Sequence, residues 1–248
     1  MVFLLFDLET CSAGDKPTIN DEIIGFGIRD CDKDGKCGND YVVTLSNYKC
    51  NSINDCEREI LRELMDKIDE YLKRAKDDAE KAGKSSYSVL IIGWNIRSFD
   101  LPLLANRLYK QKLRELDEAL EFISIKQHLI YLDLYDFIKS IIFPRVRMNL
   151  NDAVEAISKC LNVNVINDGG EGSKELIIKT CGRIKRETEG KLNDNVRVEL
   201  GKYVKDRLTH DLNQLSALYM VLVSNIDIKK CVMSELINAI RRRRDVHT

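Results

Sequence analysis

The sequence is short of net charge. Its 39 Lys+Arg against 40 Asp+Glu leave a formal charge of -1, so no global basic field marks a nucleic-acid partner and any polyanion site must be local. It also lacks a long apolar run. Met1 to Phe6 is apolar, but it is too short for a signal segment or a membrane span, and Asp7 follows at once. A soluble, cytoplasmic protein with no membrane partner is expected. There is no Cys-x-x-Cys pair and no Cys/His cluster with zinc-site spacing, although there are 8 cysteines, so zinc is not expected. Proline is scarce at 3 residues and glutamine is few beside Lys, Glu and Ile, a balance that suits a heat-adapted source. Such sources make intracellular disulfides usual, and Cys31 and Cys37 flank a predicted hairpin turn that a disulfide could bridge. The competing reading is that the cysteines are reduced, buried small hydrophobes. No internal repeat and no disordered linker is evident.

The chain does have enough apolar content, 44% over 248 residues, to bury a substantial core. Val2 to Phe6 is a continuous β-prone run suited to a central strand buried on both faces. Glu22 to Arg29 and Tyr41 to Leu45 read as two further strands joined across the Asp34-Gly35 turn, completing a three-strand meander. A long amphipathic helix capped near Asn54/Asp55 follows and ends near Gly83. Val89 to Ile92 then reads as a strand parallel to the first, followed by a helix from about Leu101 to Lys112 and a short strand from Ile130 to Leu134. The rest is read as mostly helical: Phe137 to Ile142, Asn149 to Leu161, a Gly-rich loop around Asn167 to Ser173, then Val196 to Ser224 and Ile226 to Arg244. The pattern predicts a mixed α/β sheet with helices on its faces.

Chemistry concentrates where the first strand runs into Phe6-Asp7-Leu8-Glu9-Thr10. Side chains two apart on a strand share a face, so Asp7 and Glu9 present two carboxylates side by side. Burying like charges is costly unless cations or protons compensate, and a divalent metal is their natural companion. An Asp-x-Glu alone can equally be a pair of solvated acids. A second segment, Gly93-Trp94-Asn95-Ile96-Arg97-Ser98-Phe99-Asp100-Leu101-Pro102, ends a buried strand in a polar turn. There Asp100 can be a helix N-cap or a metal ligand, and Pro102 falls near the first helical turn, where its missing N–H does no harm.

Together these two segments resemble the first two motifs of the DEDD 3′-to-5′ exonuclease superfamily. The second is most similar to the proofreading domains of family-B DNA polymerases and their stand-alone relatives. Tyr131 to Tyr135 and Met148 to Val154 resemble the strand and helix that follow there, and Asp211 to Tyr219 resembles the segment opening on the fourth carboxylate. The resemblance implies a ribonuclease-H-like sheet, a metal-dependent 3′-to-5′ exonuclease, and two Mg²⁺ or Mn²⁺ ions held by Asp7, Glu9, Asp100 and Asp211. It further implies that Leu8 and Thr10 border the terminal nucleotide and that Asn95 and Phe99 contact the strand.

The family's Tyr four residues, or His five residues, before the fourth carboxylate is missing: Arg207 and Asp206 stand there. Asp206 partnered by Tyr203 is the alternative ligand, and His210 adjoins Asp211 but points away by helical geometry. The partner is nucleic acid, with single-stranded DNA favoured and RNA possible; the oligomeric state is left open. Residues 1–225 are read as the exonuclease domain and 226–248 as a helical extension. Its basic end, Arg241 to Arg244, can grip phosphate or simply complement the helix dipole. With so few residues beyond the third motif, a free-standing enzyme is expected. The contrasting reading is a weakened nuclease fold that binds nucleic acid or a replication or repair partner without cutting.

Overall fold

The computed structural model describes residues 1–14, 16–123, 128–142, 148–161 and 170–224. At its centre are five strands: β1 (Val2–Cys11), β2 (Glu22–Cys31), β3 (Cys37–Thr44), β4 (Val89–Gly93) and β5 (Leu129–Asp133). They lie in the order β3-β2-β1-β4-β5, with β1 to β3 antiparallel and β4 and β5 parallel to β1. Around them pack α1 (Ile53–Lys81), α2 (Asp100–Lys110), α3 (Leu116–Ile123), α4 (Leu134–Ile142), α5 (Leu150–Leu161), α6 (Gly170–Glu187) and α7 (Asp194–Val223). This is the expected α/β fold of ribonuclease-H-like arrangement, a meander extended by parallel strands and flanked by helices.

The apolar run of β1 puts it in the middle. Val2, Leu4, Phe6 and Leu8 pack into a core with Ile60, Leu61, Leu64 and Ile68 of α1, while Leu5 joins Leu212, Leu215 and Leu218 of α7. Burial of each such side chain contributes ~1.5–3 kcal/mol, so the alternation along β1 fixes which face meets which helix. Phe3 continues the α7 face, its ring 6.0 Å from that of Tyr219.

Strand β1 runs on past Phe6 to Cys11 and β3 starts at Cys37 rather than Tyr41, while other boundaries move by a residue or two for identifiable reasons. The cap of α1 is Ser52 rather than Asn54 or Asp55; its hydroxyl accepts the Asp55 N–H at 3.1 Å. The last strand ends at Asp133 because that carboxylate accepts the N–H groups of Tyr135 and Asp136, starting α4 at Leu134. Gly170 to Ser173, expected in a loop, form the first turn of α6, and α3 is a further helix that the apolar pattern did not mark. The extension expected over 226–248, with its four arginines, lies outside the described residues.

The β2–β3 turn is tied by Asp32, which accepts the N–H groups of Asp34 and Lys36 at 2.9 Å each, and by Gly35 at φ 85°. A disulfide joins Cys31 to Cys37 across it, and two more join Cys11 to Cys181 and Cys50 to Cys56. For these six the reduced reading fails. Among the described residues, no helix is long and apolar enough to cross a membrane.

Candidate metal centre

The face of β1 that carries Phe3 and Leu5 continues as Asp7 and Glu9, so the helix covering that face meets the two acids directly. That helix is α7, and it lies unusually close. Opposite Asp7 and Glu9 on β2 stand Gly27 and Gly25. A Cβ on Gly27 would come within 2.9 Å of Leu212, and one on Gly25 within 2.6 Å of Val204 and 2.8 Å of the Val43 carbonyl. At Gly25, where backbone blocks the way, only glycine leaves room for α7, and α7 brings Asp211. One carboxylate oxygen from each of Asp7, Glu9 and Asp211 falls within 4.8 Å of the others.

Asp100 enters from the other side. It is the first residue of α2 and not its cap, which is Phe99, whose side chain makes no capping bond. Freed from capping, the buried carboxyl of Asp100 instead accepts a backbone bond from Leu8 and lies close enough to repel Asp7 and Glu9. The turn that delivers it is held by Asp133, which accepts the N–H of Asn95 at 2.9 Å and that of Arg97 at 3.0 Å. Asn95 adopts φ 59°, a conformation that asparagine tolerates better than most residues.

Burial is the largest influence on every acid in the group, and it pushes their pKa values up. Asp7 is raised well above the usual carboxylate range by burial and then by Asp211, Asp100 and Glu9; Asp100 is raised well above it too, chiefly by burial. Glu9 is raised by burial against the pull of Arg207 and Lys174, and Asp211 reaches about 7. Buried oxygens of Asp7 (Oδ2) and Asp211 (Oδ1) have no hydrogen-bond partner. Leaving a buried polar atom unsatisfied costs ~1–3 kcal/mol, and more for a charge. Converging anionic oxygens of this kind are the donor set of hard divalent cations such as Mg²⁺ or Mn²⁺.

Arg207 lies one turn before Asp211 and inserts its guanidinium into the group. Its Nε is 2.9 Å from Asp211 Oδ2 and 3.4 Å from Glu9 Oε1. Burial opposes its charge, but Asp211, Glu9 and Asp7 more than offset that and hold its pKa up.

No family model and no curated protein sequence matches the chain. Its likeness is to solved structures. A zinc-ion-bound complex of E. coli exonuclease I with single-stranded DNA aligns over 76% of this chain and 41% of its own, at 15% identity and TM-score 0.40. The family B DNA polymerase of the archaeon Pyrobaculum calidifontis aligns over 95% of this chain and 27% of its own, at 16% identity and TM-score 0.48. Exonuclease I from Methylocaldum szegediense aligns over 75% and 41%, at 14% identity and TM-score 0.40. This chain thus spans less than half the length of each of them. At such values the likeness is one of fold alone.

Asp206 is exposed and outside the group, and the Tyr203 hydroxyl donates to Glu199 at 2.8 Å. His210 is buried and supplies no atom to the cluster. Leu8 and Thr10 are buried, Leu8 in the α1-side core, while Asn95 and Phe99 are half-buried in the turn before α2. Sequence reasoning missed Gly25, Gly27 and Asp133, as well as Lys174 of α6, whose positive field reaches Glu9 and Asp211. The Gly-Phe-Gly spacing on a strand, which leaves one face bare, was the available signal for the first two.

Proposed function

We propose that the chain is a metal-dependent nuclease that removes nucleotides from the 3′ end of single-stranded DNA. The observation that carries this reading is the convergence of Asp7, Glu9 and Asp211, with buried Asp100 beside them and two carboxylate oxygens left without partners. The 3′ polarity and the DNA substrate follow from the resemblance of the two motif segments to DEDD exonucleases.

In this reading Asp7, Glu9, Asp100 and Asp211 hold Mg²⁺ or Mn²⁺. Such ions, when bound, activate water and stabilise the charge that develops on the phosphodiester and its leaving 3′ oxygen. Asp133 positions the Asn95–Phe99 turn; by the resemblance, Asn95 and Phe99 would contact the strand and Leu8 and Thr10 would border the terminal nucleotide. The Tyr203 hydroxyl donates to Glu199, and Arg207 and Asp206 stand where the family's Tyr or His would. General-base help is worth ~10²–10⁴-fold, so turnover is expected to be slow for such a site. The resemblance implies two ions, and how many this donor set holds turns on Arg207.

One observation favours a second reading, a fold that holds nucleic acid without cutting it. Arg207 pairs with Glu9 and Asp211, which neutralises part of the acid cluster without any metal. A 5′-labelled single-stranded DNA, with an RNA of equal sequence beside it, separates the two. It is incubated in Mg²⁺, Mn²⁺ or chelator with the natural protein and Asp7→Ala. A ladder shortening from the 3′ end, dependent on metal and lost in the variant, is the expected result. Intact substrate with binding retained would establish the second reading, and faster loss of RNA would reassign the sugar.

A further inference from the structure

The carboxylate oxygens of the centre divide into two sets. Glu9 Oε1 and Asp211 Oδ2 face the Arg207 guanidinium at 3.4 and 2.9 Å. Asp7 Oδ2 and Asp211 Oδ1 are buried and have no hydrogen-bond partner. Asp211, only 4% exposed, thus offers one oxygen to each set. The charges around the two sets differ in the same sense. Lys174 adds its positive field to that of Arg207 at Glu9 and Asp211, whereas at Asp7 the acids Asp211, Asp100 and Glu9 come before Arg207, the cation that acts there.

We infer that Arg207 occupies the place of a second metal ion, so that the centre takes a single divalent cation, on the Asp7 side, with the guanidinium serving as the other positive charge. This rests on the metal-dependent reading, and it reverses the two-ion stoichiometry that the sequence resemblance implies. The physical reason is exclusion by like charge. A guanidinium fixed against Glu9 and Asp211 and a divalent ion at those same two carboxylates would sit within a few ångströms of each other in a poorly hydrated site, where their repulsion is weakly screened. Arg207 is held there by the helix itself: it lies at i to the i+4 of Asp211, and its side chain is 16% exposed. A guanidinium cannot lose its proton to make way for a metal, as a tyrosine or histidine could. It also presents N–H donors in a planar fork that matches two phosphate oxygens, so it can receive a scissile phosphate on the side where an ion would otherwise lie.

The test is Mn²⁺ stoichiometry on the full chain after treatment with chelator. Calorimetry and electron paramagnetic resonance are run with Mn²⁺ alone and again with thymidine 5′-monophosphate, in case a phosphate draws in a further ion. The natural protein is expected to bind one Mn²⁺ per chain with the hyperfine spectrum of an isolated ion. Arg207→Gln, and Arg207→Met as a second neutral replacement, are expected to bind two, with the altered spectrum of a spin-coupled pair. Two coupled ions in the natural protein would overturn the inference and leave the metal-dependent reading intact; that outcome needs no variant to fold. One ion in both neutral variants would also overturn it, since Arg207 would then exclude nothing. Absence of Mn²⁺ binding by the natural protein, with or without nucleotide, would remove the metal-dependent reading and the inference together.

Discussion

A carboxylate buried among other carboxylates keeps its proton longer than one in water, and this has a measurable consequence at the residue scale. Asp211 is pushed up to about 7, and Asp7, Asp100 and Glu9 are raised as well. Between the ordinary carboxylate range and the folded-state values, the metal-free folded chain binds more protons than the unfolded chain. Stability therefore falls as pH rises through that window. The metal-free protein should melt highest at mildly acid pH and lose several degrees by pH 8, each kcal/mol amounting to ~2–4 °C for a chain of this size. Asp211→Asn should flatten the profile, and Mn²⁺ at pH 8 should restore the lost degrees. A melting temperature that climbs from pH 5 to pH 8 without metal would contradict the raised values. The same residues decide between the two candidate fourth ligands. Asp211→Ala should weaken Mn²⁺ binding by at least tenfold, whereas Asp206→Ala, at an exposed position outside the group, should change it less than twofold. Calorimetry showing the reverse would move the site one turn along α7.

At the scale of elements, the centre depends on how near α7 can come to the sheet. Gly25 and Gly27 set that distance, and they are not equivalent. A Cβ at Gly27 meets the tip of the Leu212 side chain, which can turn aside, but one at Gly25 also meets the Val43 backbone carbonyl, which cannot. Gly27→Ala should therefore be mild, while Gly25→Val should cost ~1–3 kcal/mol by overpacking and should reduce Mn²⁺ affinity as α7 is displaced. Denaturant melts and metal titrations of both variants check this; equal effects would mean that α7 does not rest on the glycines. Much of the fold was legible in the sequence because it is written locally. The apolar run of β1, the Asp34-Gly35 turn, the stripe of α1 and the strand at Val89 each announce themselves within a dozen residues. What escaped had mixed or weak local signals. α6 opens on Gly170-Glu171-Gly172-Ser173, residues that usually mark a turn, and is kept helical by packing along α7 and β1.

At the scale of the whole molecule, the acid cluster joins β1 to the middle of α7, and Asp100 at the start of α2 lies near enough to repel it. Asp7, Glu9 and Asp100 were legible because the first two follow directly on the apolar run of β1 and the third sits in a distinctive turn; Asp211 is marked by the apolar pattern that follows it. Arg207 was legible as a cation competing among the acids from its place one turn before Asp211, but its contact with Glu9 in particular and the Cys11–Cys181 disulfide were not, since each joins segments far apart in the chain and no spacing rule connects them. That disulfide ties β1, two residues beyond Glu9, to α6, which packs along α7 and carries Lys174. It closes a sequence separation of 170 residues, whereas Cys31–Cys37 and Cys50–Cys56 each close one of 6. On the chain-entropy account the long closure restricts the unfolded chain by about 5 kcal/mol and each short one by about 2 kcal/mol. Cys11→Ser with Cys181→Ser should thus lower the melting temperature well beyond the loss from Cys31→Ser with Cys37→Ser, measured side by side under non-reducing conditions. On the metal-dependent reading the long bridge, anchored two residues from Glu9, would also brace the acid cluster, so its removal should weaken Mn²⁺ binding at a temperature where the chain is still folded, and removal of Cys31–Cys37, at the far end of β2, should not. If both double variants lost stability equally and kept full Mn²⁺ affinity, the bridge would be fastening only the fold and not the site beside it.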